Sequence, residues 1–378
     1  MPHHGDDPGR EARDPVTLLQ AYEAWVDGLV PTVPQARTDK HRLLSEDPFG
    51  FFRGTYPLWL HRLRELPDPP PGPVVHAVGD LHVENFGTWR DGEGRTVWGI
   101  NDLDEADRLP AVVDLLRLAV SVLLARTHRR LALARGDVLA LVLDGYLEGL
   151  HRAGPPTVLD RPDPPALSSL LPSPDPAAWW TRLLAHPVAA APDPAAVARL
   201  VPLFPADAGP VRYLSRTAGM GSRDRLRIVA VAEVGGAPVA REAKALPPPA
   251  SRWPGPGPAP DPGDGPSPES APLSGPLILA AAGGSRDPQH VVDGGWVLRR
   301  LAPWCDRIEL SRLRQLADAE ELVRRMGAET ASVHLRTGGD PAVLAGLADG
   351  TTRAWLDGAV RRMHHAVGND WDGWRRHS

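Results

Sequence analysis

HAVGDLHVENFGTW, residues 76–89, places an aspartate directly after a glycine, a histidine two residues later and an asparagine five residues later. A second acidic stretch, GINDLDEAD, follows at residues 99–107. Together they bring Asp80, Glu84, Asp102, Asp104, Glu105 and Asp107 into one short span. Clustered carboxylates repel one another unless a cation or solvent screens them. A hard divalent ion such as Mg²⁺ is held by oxygen ligands and keeps waters and substrate phosphates in its shell.

The apolar run PVVHAVGD (73–80) reads as a short buried strand ending at Asp80, and TVWGIND (96–102) as a second strand ending at Asp102. The turn RDGEGR leads from one to the other, so the expectation is a β-hairpin with acids at its loop ends. Asp102 and the Asn85 amide oxygen are then the expected metal ligands, with Asp104 as a second acid. Asp80 is left free to take a proton from an attacking hydroxyl. His82 is assigned to the same catalytic loop, either in the chemistry or as a brace for the loop backbone. The spacing from Asp80 to Asn85 is that of a kinase catalytic loop, in which an Asp is followed five positions later by an Asn. Asp and Asn also suit plain surface turns; what separates this case is that both aspartates close apolar strands.

A kinase-type chemistry also needs a phosphate-binding element. TAGMGSRDR offers Gly219, Gly221 and Ser222, with Asp224 where a third glycine would complete the G-x-G-x-x-G pattern. Glycines let backbone N–H groups approach phosphate oxygens. Lys244 lies beyond the hairpin RIVAVAEV–GG–APVAREAKA. Strand alternation puts it on the same face as Glu242 and Ala240, with the rival cation Arg241 on the other. Arg53, in FFRGTY, is a further cation for a phosphate or a carboxylate. Asp114 and Arg117, on the apolar segment 110–131, are either a buried acid that accepts backbone hydrogen bonds from the catalytic loop with its neighbouring cation, or a helix-start acid and a snorkelling arginine.

Elsewhere, helices are expected from Pro15 to Val30, after Gly54, over 110–131, after Gly136 and from 309 to the end with a break near Thr337–Pro341. A β-rich region begins near 211. The Pro-rich tract 247–276 is expected to be a flexible insertion. The domains drawn are residues 15–204 and 304–378 for a helical part and 205–303 for a small β-rich part.

GDLHVEN followed by INDLDEA resembles the catalytic and metal loops of the aminoglycoside phosphotransferase and choline kinase group, within the protein-kinase-like superfamily. FFRGTY, GDLHVENFG, NDLDEA, GMGS, VAREAKA, RRLAP and ETASVHL together resemble, over most of residues 45–375, a bacterial family labelled domain of unknown function two-two-five-two. The resemblance implies an α+β, two-lobed kinase-like fold, with Asp80 as catalytic base and Asn85 and Asp102 as metal ligands. The residue before Gly79 departs from the group's pattern, being Val78 rather than His. The glycine turn and Lys244 follow the catalytic loop instead of preceding it, so the fold is expected to be circularly permuted, with residues 205–303 packed over the acidic loops.

The expectation is an ATP- and Mg²⁺-dependent phosphotransferase acting on a hydroxyl of an acceptor the sequence does not identify. The alternatives are an inactive nucleotide-binding module and a metal-dependent phosphoesterase. The net charge of −5 argues against a nucleic-acid binder. No apolar run is long enough to span a bilayer, the single cysteine, Cys305, allows no intramolecular disulfide, and the polar N-terminal stretch lacks a signal pattern, so a cytoplasmic protein is expected.

Overall fold

The computed structural model of the chain describes residues 14–128, 131, 133, 137–152, 154–161, 167, 175–256, 273–305 and 316–377. It is a mixed α+β arrangement. Four helices come first: α1 (Pro15–Asp27), α2 (Pro34–Leu44), α3 (Pro48–Gly54) and α4 (Tyr56–Arg64). Each carries a proline in its first turn, where the missing N–H has no intrahelical partner to lose. Asp14 caps α1 by accepting from the Thr17 N–H at 2.9 Å, and Asp47 caps α3 from Gly50.

The acidic segment forms four short strands, β1 (Val74–Ala77), β2 (Phe86–Arg90), β3 (Thr96–Ile100) and β4 (Asp107–Pro110). Their pairing corrects the expected hairpin. β3 pairs with β2, not with the strand before Asp80, and β1 pairs antiparallel with β4. FGTWR supplies the missing strand, because Phe86 stacks on Trp98 and is fully buried. The acidic loop ends still meet, since residues 78–85 and 101–106 are the two connections between these ladders.

Helices α5 (Val112–His128) and α6 (Val138–Arg152) follow, then the short strand β5 (Thr157–Val158) on the edge of β3. α5 is buried on nearly every face, including Asp114, Arg117 and Ser121. The C-terminal helices are α10 (Leu316–Arg336), α11 (Pro341–Ala345) and α12 (Gly350–Arg375). α6 and α10 approach so closely that a Cβ on Gly145 would sit 2.0 Å from the Arg324 carbonyl oxygen, and one on Gly327 2.3 Å from that of Val142. One hydrophobic core joins α1 to α6 with α10, α11 and α12; N-terminal and C-terminal segments thus build one helical body.

The β-rich region is a five-stranded antiparallel sheet of β6 (Arg212–Ser215), β7 (Arg227–Val234), β8 (Ala237–Ala245), β9 (Val291–Asp293) and β10 (Trp296–Leu301), in the order β6-β7-β8-β10-β9. Gly235 and Gly236, at φ +59° and +79°, make the expected two-residue turn between β7 and β8. Helices α7 (Pro176–Leu184) and α8 (Pro194–Leu200), which the boundary at 204 assigned to the helical part, pack on this sheet instead: Leu183 lies against Val229 and Val231, and Leu200 lies in the cluster with Ile228 and Ala243. The ends of the stretch expected as a flexible insertion are also ordered. Ala250 and Trp253 are buried in the helical core, and α9 (Ser274–Ala281) adds Ile278 to it. Residues 257–272, including Glu269, lie outside the described residues. No helix among the described residues is long and apolar enough to cross a membrane.

Candidate functional site

β1 ends at Ala77, and the chain turns sharply through Gly79, whose φ of +84° lies in the left-handed region. A Cβ there would fall 2.2 Å from the Glu105 carbonyl oxygen, so glycine is demanded by both conformation and space. The fully buried carboxylate of Asp114 accepts the N–H groups of Val78 and Gly79 at 2.8 and 2.9 Å. His334 Nε2 lies 3.0 Å from the same carboxylate, and its Nδ1 lies 2.8 Å from the Tyr146 hydroxyl. Ser121 accepts the Val83 N–H. The loop carrying Asp80 is therefore held by side chains of α5, and through Asp114 by α6 and α10.

Asp80 itself faces Arg117, whose Nε and Nη2 both donate to its Oδ1. Arg117 is fully buried, stacked over Phe52 at 3.6 Å, and donates also to the Phe52 carbonyl. Burial raises the Asp80 carboxyl to about 7, against the opposing pull of Arg117. Asn85 reaches back to donate from Nδ2 to the Asp80 carbonyl at 2.9 Å. Its Oδ1 is buried without a hydrogen-bond partner. His82, which also lines the cleft, accepts the Glu84 N–H on Nδ1 at 3.2 Å, a bond that braces the loop backbone. Arg53 pairs with Glu84 at 2.8 Å, so it anchors a carboxylate.

On the opposite wall, β8 directs Glu242 and Lys244 toward the acidic loops, while Arg241 points away, over the Phe204 ring. Lys244 is almost wholly buried, forms a close ion pair with Asp104, and has its Nζ 3.8 Å from Asp102. The acidic partner that the sequence left open is thus Asp104. That carboxylate also receives Arg225 Nη1, at 3.3 Å. With two cations on one oxygen, Asp104 anchors Lys244 and Arg225; the structure does not gather it with Asn85 as an uncommitted ligand. Asp102 keeps a side chain 48% exposed at the cleft. Burial pushes its carboxyl up, but Lys244, Arg299 and Arg227 outweigh that and hold it well below the usual range. Burial is the largest influence on Lys244, which is pushed below the ordinary lysine value even though Asp102 and Asp104 favour its charge.

Gly219, at φ +79°, Gly221 and Ser222 all line the same cleft of about 290 Å³, together with Asp80, Asn85 and Asp102. Asp224 faces away from it, toward α2, where it accepts from Arg37 at 2.9 Å and lies 3.7 Å from Lys40. The adjoining backbone adds N–H to O bonds from Val33 to Asp224 and from Leu226 to Pro31. The turn is therefore tied to the N-terminal helices on one side and open to the cleft on the other.

Sequence reasoning missed the cationic lining: Arg216, Arg225, Arg227 and Arg299. Their signal was strand alternation. Arg227 is paired with Lys244 across the β7–β8 ladder, and Arg299 with Glu242 across β8–β10. His364 and His365 stand edge to face at 6.2 Å on α12, and no group of three or more His, Cys, Asp or Glu able to hold a metal occurs among the described residues.

Residues 32–161, which carry Asp80, Asn85 and Asp102, match the model of the family described as "Uncharacterized protein conserved in bacteria (DUF2252)". The matched segment ends before the five-stranded sheet, so it covers the acidic wall of the cleft alone. No curated protein and no solved structure matches the chain.

Proposed function

We propose that this chain is an ATP- and Mg²⁺-dependent phosphotransferase with a circularly permuted, protein-kinase-like arrangement. The observation that carries the reading is that a buried strand lysine, Lys244, lies 3.8 Å from Asp102, which lines a cleft together with Asp80 and with Asn85, whose buried Oδ1 has no hydrogen-bond partner. The permutation is supported by the order of parts, with the sheet following the acidic loops, and by the helical core shared between the two chain ends.

The donor set fits a hard cation. An orphan buried amide oxygen is costly unless something binds it, and Asp102 is an ionised, half-exposed carboxylate close to Asn85, whose carbonyl accepts the Asn101 N–H at 3.0 Å. Asn85 and Asp102 would hold Mg²⁺, with phosphate oxygens and water completing its shell. The ion would offset negative charge on the transferred phosphoryl group. Lys244, anchored by Asp104, places a cation beside the same phosphates. Asp80, with its carboxyl raised to about 7, is poised to accept the proton of an acceptor hydroxyl near neutral pH. A second cavity of about 150 Å³ shares Asn101, Arg216, Arg299 and Cys305 with the first and adds Ile278, Leu279 and Leu301, an apolar wall suited to a nucleoside.

One observation favours the second reading, a nucleotide-binding module without catalysis: Asp80 is already engaged by Arg117. The phosphoesterase reading needs three or more converging ligand side chains, and none are gathered among the described residues. Phosphate release from Mg·ATP separates the first two. The wild type should turn over slowly with water as acceptor, and Asp80→Asn should lose about 100-fold or more while still binding nucleotide. Equal rates in both proteins would leave only the binding module.

A further inference from the structure

Alternation along β6, β7, β8 and β10 collects an unusual set of charges on one face of the sheet. Val229 and Arg299 lie opposite Glu242 in the two ladders, and Arg227 lies opposite Lys244. Arg216 follows β6 in the same phase as Leu214, which pairs with Val229. The Glu242 carboxylate is completely buried, and three guanidinium groups converge on it. Arg227 Nη1 lies 3.1 Å away, Arg299 Nη2 2.7 Å away, and Arg216 makes a close ion pair. One carboxylate cannot use every donor of three guanidinium groups, which carry five N–H each. Asp102 and Asp104 also lie within their field, but both carboxylates face Lys244, so donors remain for a further anion.

The three arginines differ in access. Arg216 and Arg299 expose 24% and 28% of their side chains, whereas Arg227 exposes 3%. All three line the cleft. Arg227 also donates from Nη2 to Ser222 Oγ at 2.7 Å. A Cβ on Gly219 would stand 3.3 Å from both of those atoms, so the glycine lets the guanidinium and the turn meet. We propose that Arg216, Arg227 and Arg299, gathered on Glu242, form a site for a diphosphate or longer phosphate chain. Arg216 and Arg299 are its contacting cations, and Arg227 links the bound anion to the Gly219–Ser222 turn. The planar donor fork of arginine suits phosphate oxygens, and the buried carboxylate fixes the forks before the anion arrives. The assignment of that chain to a nucleotide deepens, and rests on, the phosphotransferase reading; the anion site itself does not need it.

The test is calorimetric titration of the full chain with pyrophosphate and with ATP, first in EDTA and then in Mg²⁺, at low and at physiological salt. Pyrophosphate should bind the wild type without metal. It should bind Arg216→Gln or Arg299→Gln about tenfold or more weakly, and Arg353→Gln, at the surface ion pair with Asp137, as tightly as the wild type. Affinity for the wild type should fall as salt rises; if a glutamine variant does not fold, this arm decides. The inference is overturned if the wild type does not bind pyrophosphate, if the Arg216 and Arg299 variants bind it unchanged, or if its affinity ignores salt. Arginine-dependent pyrophosphate binding, with ATP bound no more tightly and indifferent to Mg²⁺, would sustain the anion site and sink the nucleotide reading. Tight Mg·ATP binding untouched by the arginine variants would do the reverse.

Discussion

Arg117 donates two hydrogen bonds to a single oxygen of Asp80, and it does so from a helix whose other buried polar side chains, Asp114 and Ser121, hold the same loop. Arg117 is fully buried, while Asp80 keeps 17% of its side chain exposed. Arg117→Met should destabilise the chain by about 1–3 kcal/mol, because Asp80 and the Phe52 carbonyl lose their donor. Asp80→Asn in the same background should recover part of the loss. Denaturant melts of the two single variants and the double variant measure this coupling; strictly additive effects would contradict it.

The raised Asp80 carboxyl sets a pH dependence with a definite sign. Its ordinary value is 3.8, and the folded value is about 7. Between them the native state keeps a proton that the unfolded chain has released, so stability from this group is full below about pH 4. It falls as pH rises through 7 and is flat above. Asp80→Asn should remove that slope from a plot of unfolding free energy against pH, leaving other groups' slopes in place. Any proton transfer to Asp80 should correspondingly rise through an apparent pKa near 7.

Two glycines of positive φ are expected to behave differently. Gly79→Ala meets the Glu105 carbonyl oxygen at 2.2 Å and must displace backbone between the two acidic loops, so loss of folding or of nucleotide binding is expected. Gly235→Ala meets nothing within 4 Å at a φ of +59°. It should cost only about 1–2 kcal/mol of conformational strain. A larger loss at Gly235 than at Gly79 in thermal melts would contradict the site geometry.

Lys244→Met should uncouple the sheet from the acidic wall. Asp104 keeps Arg225, but Asp102 loses its nearest cation, Lys244. Its carboxyl should move up toward the ordinary carboxylate range, and affinity for Mg·ATP should drop about tenfold or more. Lys244→Arg is not expected to rescue, since a guanidinium does not fit the space of a buried ammonium between two carboxylates. NMR titration of the Asp102 carboxyl in the two variants checks the first part, and calorimetry the second.

How much of this was legible in the sequence depended on whether the signal was local. Asp80 and Asp102 stand at the ends of apolar runs, and a period of two or a turn glycine is read directly from neighbours. The same holds for Gly235–Gly236; for Asp114 two readings stood level, and the bonds to Val78 and Gly79 decide for the loop clamp over the helix-start acid. Pairing was less legible. β1 and β3 looked like one hairpin because both are short and apolar, and only the burial of Phe86 against Trp98 shows that FGTWR is the true partner of β3. The acid for Lys244 was invisible for a similar reason: Asp104 lies 140 residues earlier, on a loop that meets the sheet only in three dimensions. Arg216, Arg227 and Arg299 come from on or just beyond three separate strands, and no short motif marks their convergence on Glu242. The mixed α+β character follows from the elements themselves; the lobe boundaries did not, since α7 and α8, nine and seven residues long, are too short for their apolar pattern to announce which body they cover.

The most direct test of the central claim is the Mg²⁺ dependence of ATP binding, measured by titration calorimetry on the wild type, Asn85→Ala and Asp102→Ala. The account predicts that Mg²⁺ tightens ATP binding to the wild type about tenfold or more, and that each substitution abolishes the tightening while the protein still melts cooperatively. ATP binding of equal strength in all three proteins, with or without Mg²⁺, would contradict it.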